Sequence, residues 1–179
     1  MPPQTKLPNK PHHVTLAIET DGLTPWHGDR VICICAKDSC GETFQESTAN
    51  EHRMIMGFLD WLLCRKPKDY FLLTQNGKLF HVPFLCARLE LDSSLSKTER
   101  TKFTNRLLSY KHLDLSEMVN RTPGPEGELP NILDSTPGDG SRKYAKRLWN
   151  QGKTEKLVTY LMKAVTAVEA SFQERGNRD

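Results

Sequence analysis

The chain has 179 residues, 37% of them hydrophobic, with 11 prolines and 11 glycines, a length that builds one well-cored domain and is short for two. Its 25 basic and 22 acidic residues leave a formal net charge of +3, which permits a phosphate-bearing partner without demanding one, because proteins held to nucleic acid by charge alone are more lopsided. No apolar run reaches the roughly 20 residues of a membrane span and the opening Met1 to Pro11 carries no hydrophobic signal core, so the expectation is a soluble, intracellular protein with no membrane partner.

Residues 1–12 read as a flexible, Pro-rich leader, 13–175 as one domain and 176–179 as a tail. The stretch from His13 to Glu19 is short, β-branched and apolar, and runs into the turn-like Thr20-Asp-Gly-Leu-Thr-Pro25. It predicts a central strand that delivers Glu19 at its end. Arg30 to Lys37 and Glu42 to Gln45 follow as two strands joined by a hairpin turn at Asp38-Ser-Cys-Gly41. From Asn50 the apolar residues Met54, Phe58, Trp61 and Leu62 recur at steps of three and four, the signature of an amphipathic helix, ended by Arg65-Lys-Pro67.

Tyr70 to Thr74 returns to strand character, Gln75-Asn-Gly-Lys78 reads as a turn, and Pro83 opens a helix carrying Phe84, Leu85 and Leu89. A basic helix is expected over Ser96 to Tyr110, with Lys97, Arg100, Lys102 and Arg106. The acidic, Pro- and Gly-rich Asn120 to Ser141 reads as a long surface loop. A last helix from about Lys153 to Glu174 follows from the spacing of Val158, Leu161, Val165, Val168 and Phe172. Strands first, then helices interleaved with single strands, predict a mixed sheet flanked by helices. The five cysteines, Cys33, Cys35, Cys40, Cys64 and Cys86, fit neither a disulfide framework nor a paired zinc motif. They read as buried, reduced thiols, with Cys33 and Cys35 on one face of a strand.

Three segments, in order, resemble the motifs of the DnaQ-like (DEDD, RNase H-like) 3′–5′ exonucleases, especially the stand-alone kin of family B DNA polymerase proofreading domains. The first, Asp-x-Glu before Thr-x-Gly-Leu, stands here as Ala17-Ile18-Glu19-Thr20-Asp21-Gly22-Leu23. The second is the long string Asn76-Gly77-Lys78-Leu79-Phe80-His81-Val82-Pro83-Phe84-Leu85, with His81 in place of the family's Asp. The third is Tyr160-Leu161-Met162-Lys163-Ala164-Val165, with Ala164 in place of Asp, approached through Asp139 to Gly152. His112-Leu113-Asp114-Leu115 is similar to a supporting family element that is not a metal ligand.

The resemblance implies an RNase H-like, DnaQ-type mixed sheet flanked by helices. It also implies a site where two divalent ions about 3.5–4 Å apart activate water and stabilise the leaving oxygen, held by carboxylates because hard cations take oxygen ligands. Of those carboxylates this chain supplies Glu19. Glu19 and Tyr160 are therefore expected as catalytic relics beside Ala17, His81 and Ala164, with no metal and no cofactor. The expected function is a catalytically inactive binding module for single-stranded nucleic acid or a protein partner. The alternative is a true Mg- or Mn-dependent 3′–5′ exonuclease, either a ligand-minus variant or one using a single metal near Glu19 and His81. A third reading is a scaffold acting through the Asn120 to Ser141 loop. Candidate nucleic-acid contacts are Trp26 for stacking on a terminal base, Asn76 and Lys78 beside the second motif, and a basic rim of Arg100, Lys102, Arg142 and Lys143.

Overall fold

The computed structural model describes residues 12–119 and 141–176. Chain order is β1 (His12–Thr20), a 3-10 turn (Pro25–His27), β2 (Val31–Asp38), β3 (Thr43–Glu46), α1 (Glu51–Leu63), β4 (Tyr70–Thr74) and a π-helical turn (Gly77–His81). Then come α2 (Val82–Leu91), α3 (Lys97–Leu108), β5 (Lys111–Asp114), α4 (Leu115–Val119), α5 (Ser141–Asn150) and α6 (Thr154–Gly176). The strands form one sheet ordered β3-β2-β1-β4-β5. β1 to β3 pair as antiparallel neighbours, while β1 with β4 and β4 with β5 run parallel. This is the mixed sheet flanked by helices that the order of elements predicts.

β1 occupies the middle of the sheet and has a helical layer on each face, so its side chains are buried on both: Val14, Leu16 and Ile18 on one, and the mostly polar set His13, Thr15 and Glu19 beside Ala17 on the other. Val14, Leu16 and Ile18 join a core with Met54, Phe58, Leu62, Leu85 and Leu89 of α1 and α2. Ala17 points the other way, into a second cluster with Cys33 and Cys35 of β2 and residues of α5 and α6. Asn50 caps α1 by accepting from the Arg53 N–H at 2.9 Å. Ser96 and Glu99 form a reciprocal capping box on α3. The far end of α1 is fastened by a buried ion pair, Arg65 Nη2 to Asp38 Oδ2 at 2.7 Å, with the guanidinium 3.4 Å over the Trp61 ring.

Several elements depart from the sequence reading. Lys111–Asp114 and Leu115–Val119, to which the sequence reading assigns no secondary structure, form β5 and α4. Asn76-Gly77-Lys78 does not end in a simple turn but enters the π-helical turn, and Ser141, expected to close a loop, begins α5. Most of the expected 120–141 loop, and the leader up to residue 11, lie outside the described residues. The thiols also divide. Cys33 and Cys35 are fully buried with their sulfurs 3.9 Å apart, whereas Cys40, in the β2–β3 turn, and Cys64, at the end of α1, are exposed. Residues at an element's end have only one packed side, which is why buried thiols were correct for the strand and wrong for these two.

Candidate functional site

Ala17 and Ala164 lie in the same apolar cluster as Tyr160, Leu161 and Val165 of α6 and Ala145 and Leu148 of α5. Each alanine is 6–7% exposed, and the ring of Tyr160 meets Tyr144 of α5 edge-on at 5.2 Å. Glu19, 8% exposed, stands opposite Cys33 at the end of β1, just before the ladder shifts register at Thr20. The Cys33 thiol is pushed far above its ordinary pKa by its hydrogen bond with Cys35, by burial and by the nearby Glu19 carboxylate. It is a packed, inert sulfur. Asp21 is spent on the turn, accepting from the Arg30 N–H at 2.6 Å and pairing with its guanidinium.

His81 closes the π-helical turn beside the Leu16 carbonyl, His112 and Asp114. The residue keeps an edge toward solvent, but its Nδ1 has neither solvent contact nor a hydrogen-bond partner among the described residues. Burial lowers its pKa to about 4, against the pull of Asp114, so the ring is neutral at pH 7. Asp114, 1% exposed, accepts from the backbone N–H groups of Asn76 (2.9 Å), Lys78 (2.8 Å) and Ser116 (3.1 Å), and from the Ser116 hydroxyl. Burial opposes its charge, but these donors outweigh burial and hold its pKa below the usual carboxylate value. The carboxylate is thus fully used in shaping the turn. Asn76 there takes φ +59°, and a Cβ on Gly77 would meet the Thr74 side chain at 2.4 Å.

The donor set does not fit a pair of hard divalent cations. Alanine offers no ligand at 17 or 164, the surroundings of both are apolar, and among the described residues no three His, Cys, Asp or Glu side chains are grouped to share a metal.

What the same segments do build is a groove of about 360 Å³ between the Pro25–His27 turn and the start of α2. Leu23, Pro25 and Trp26 form one wall, and Leu79, Phe80, Pro83, Phe84 and Ala87 the other. The first wall is fixed from below. A Cβ on Gly22 would strike the Asp29 carboxylate at 2.1 Å, and Asp29 in turn accepts from the Thr24 N–H and hydroxyl at 2.8 Å. Arg88 of α2 donates to the Pro25 carbonyl at 3.1 Å while pairing with Glu51 of α1 at 2.7 Å, tying the two walls together. Trp26 was a sequence candidate. Leu23 and Leu79 were not singled out, although an apolar residue inside each turn was the signal that pointed to them.

The basic candidates are scattered. Arg100 donates to the Leu95 and Glu90 carbonyls, and Arg106 to the Leu63 and Arg65 carbonyls, so both serve as helix-end caps. Lys78 pairs with Glu117 at 2.9 Å. Lys102 is exposed on α3, and Lys143 on α5. The side chain of Arg142 lies outside the described residues.

No protein-family model and no curated protein matches the chain. In structure it is similar to the family B DNA polymerase from the hyperthermophilic archaeon Pyrobaculum calidifontis, with a TM-score of 0.70 and 14% identity over 96% of this chain and 25% of that one. The chain thus spans a quarter of that polymerase's length. At this identity the likeness speaks for the fold: an α/β, RNase H-like mixed sheet flanked by helices. No described helix is long and apolar enough to cross a membrane.

Proposed function

We propose that the chain is a catalytically silent relative of DnaQ-like 3′–5′ exonuclease domains that works by binding a partner. The observation that carries this is the packing of Ala17 and Ala164, at two of the three positions where the resemblance expects metal-binding aspartates, into one apolar cluster with α5 and α6. Phosphodiester cleavage by two metals requires a concentrated negative charge to hold them, and Glu19 is the carboxylate left to supply it. A neutral, half-buried His81 adds none. Even the loss of a group that only orients a ligand lowers metal affinity or activity by about 10–100-fold, so the loss of the ligands themselves removes the chemistry. The binding half of the proposal is supported by the preformed groove, one wall of which follows Glu19 in sequence while the other brackets His81.

The test is an exonuclease assay on 5′-labelled single-stranded DNA and RNA with Mg²⁺ or Mn²⁺, using this chain and its Glu19→Gln variant. The expected outcome is intact substrate in every lane. Metal-dependent trimming by this chain that Glu19→Gln abolishes would establish a working reduced-metal site and end the proposal.

A further inference from the structure

The groove's chemistry identifies the class of partner. Its rim carries three of the largest exposed apolar side chains: Leu23 is 55% exposed, Trp26 62% and Leu79 83%. Leaving them in water is unfavourable. At about 360 Å³ the groove falls within the range of roughly 300–1,000 Å³ for ligand pockets. Its walls are held by the Arg88 tie and by the Asp29 and Asp114 hydrogen bonds, so little ordering cost falls on binding.

Charge decides what fills it. Glu90 of α2 is the one charged residue lining the groove among the described residues. It is exposed, and its carboxylate makes no ion pair or hydrogen bond among the described residues. Of the cations adjacent to the lining in sequence, Arg88 pairs with Glu51 and Lys78 makes a solvent-exposed pair with Glu117, while Lys146 of α5 lies near enough to Asp29 to help lower its pKa. A phosphodiester backbone lying along the groove would meet an anion and, among the described lining residues, no cation, which disfavours nucleic-acid affinity at the lining itself. An apolar segment with a cation beside it meets complementary groups at both places.

We propose that this groove docks a peptide segment of a protein partner in which neighbouring apolar side chains are accompanied by a lysine or arginine that pairs with Glu90. Trp26 and Leu79 are the anchors, since large apolar side chains at the centre of a contact carry most of its energy. The inference rests on the binding reading above and narrows it to a protein.

The test is selection of a random peptide library, displayed on phage, against the full chain. Selected peptides are then synthesised and their binding measured by fluorescence anisotropy to this chain and to Trp26→Ser, Leu79→Ser and Glu90→Lys. All three positions are exposed, so thermal melts should match the parent. Enriched peptides should combine apolar residues with Lys or Arg. Trp26→Ser and Leu79→Ser should each weaken binding about tenfold or more, and Glu90→Lys should shift preference from basic to acidic peptides. No enrichment, or enriched peptides that bind all variants equally, overturns the inference. So does a labelled oligo(dT) or oligo(U) whose binding is lost in Trp26→Ser and competes with the peptides, which would assign the groove to nucleic acid. Degradation of those oligonucleotides would instead overturn the silent-nuclease reading, leaving peptide docking to stand or fall on its own arms.

Discussion

His81 illustrates how one residue's environment becomes a property of the protein. An unfolded histidine titrates near its ordinary value of 6.5, whereas burial sets the folded pKa of His81 to about 4. Between those values the unfolded chain binds more protons than the folded one, so stability must rise with pH. The contribution is complete above pH 6.5 and is lost as pH falls through 4, by about 3 kcal/mol at about 1.4 kcal/mol per pKa unit. His13 and His112 are also lowered, chiefly by burial, and act in the same direction. His81→Gln should therefore show a smaller drop in urea midpoint between pH 7 and pH 4.5 than the parent, without abolishing it. Equal drops would mean that the ring accepts a proton without penalty. The substitution of Asp by His was legible from the motif, but the enclosure of the ring was not, because the Leu16 carbonyl, His112 and Asp114 come from two distant strands.

At the scale of elements, helices with local signals were read nearly to the residue. The Asn50 cap of α1 and the spacing that defines α6 act within a few residues. The π-helical turn was not read, since its shape depends on Asp114, 38 residues from Asn76 and 36 from Lys78. Asp114→Ala removes the acceptor for three buried or half-buried backbone donors and one hydroxyl. With hydrogen bonds to charged groups worth about 1.5–3 kcal/mol each, the expected loss is about 3 kcal/mol in a denaturant titration, together with weaker groove binding through displaced Leu79. A loss under about 1 kcal/mol would mean that the turn holds its shape without the carboxylate. The basic face of α3 gives a converse case. Its arginines were visible in sequence as charge, yet Arg100 and Arg106 are committed to carbonyls at other helix ends, a use that only packing creates.

For the whole molecule, the thiols report the two helical layers. Cys33 and Cys35 sit beneath α5 and α6, whereas Cys40 and Cys64 are exposed and Cys86 is intermediate. A native-state reaction with an aromatic disulfide reagent should label Cys40 and Cys64 quickly and Cys86 slowly, its thiol raised to about 11 by burial and by Glu90. Cys33 and Cys35 should react only through large-scale opening, at a rate that tracks measured stability. Rapid labelling of all five would mean that α6 does not stay docked. The sequence by itself determined β1 to β4, α1 to α3 and α6 in their order, the central place of β1 and the absence of aspartate at 17, 81 and 164, because periodicity and residue identity are local; it did not give β5, α4 or α5. The tertiary structure decided that 17 and 164 share one apolar cluster, that the arginines cap helix ends, and that two turns some fifty residues apart face each other as a groove. Those are contacts between segments distant along the chain, fixed by how sheet and helices pack, and no local pattern carries them.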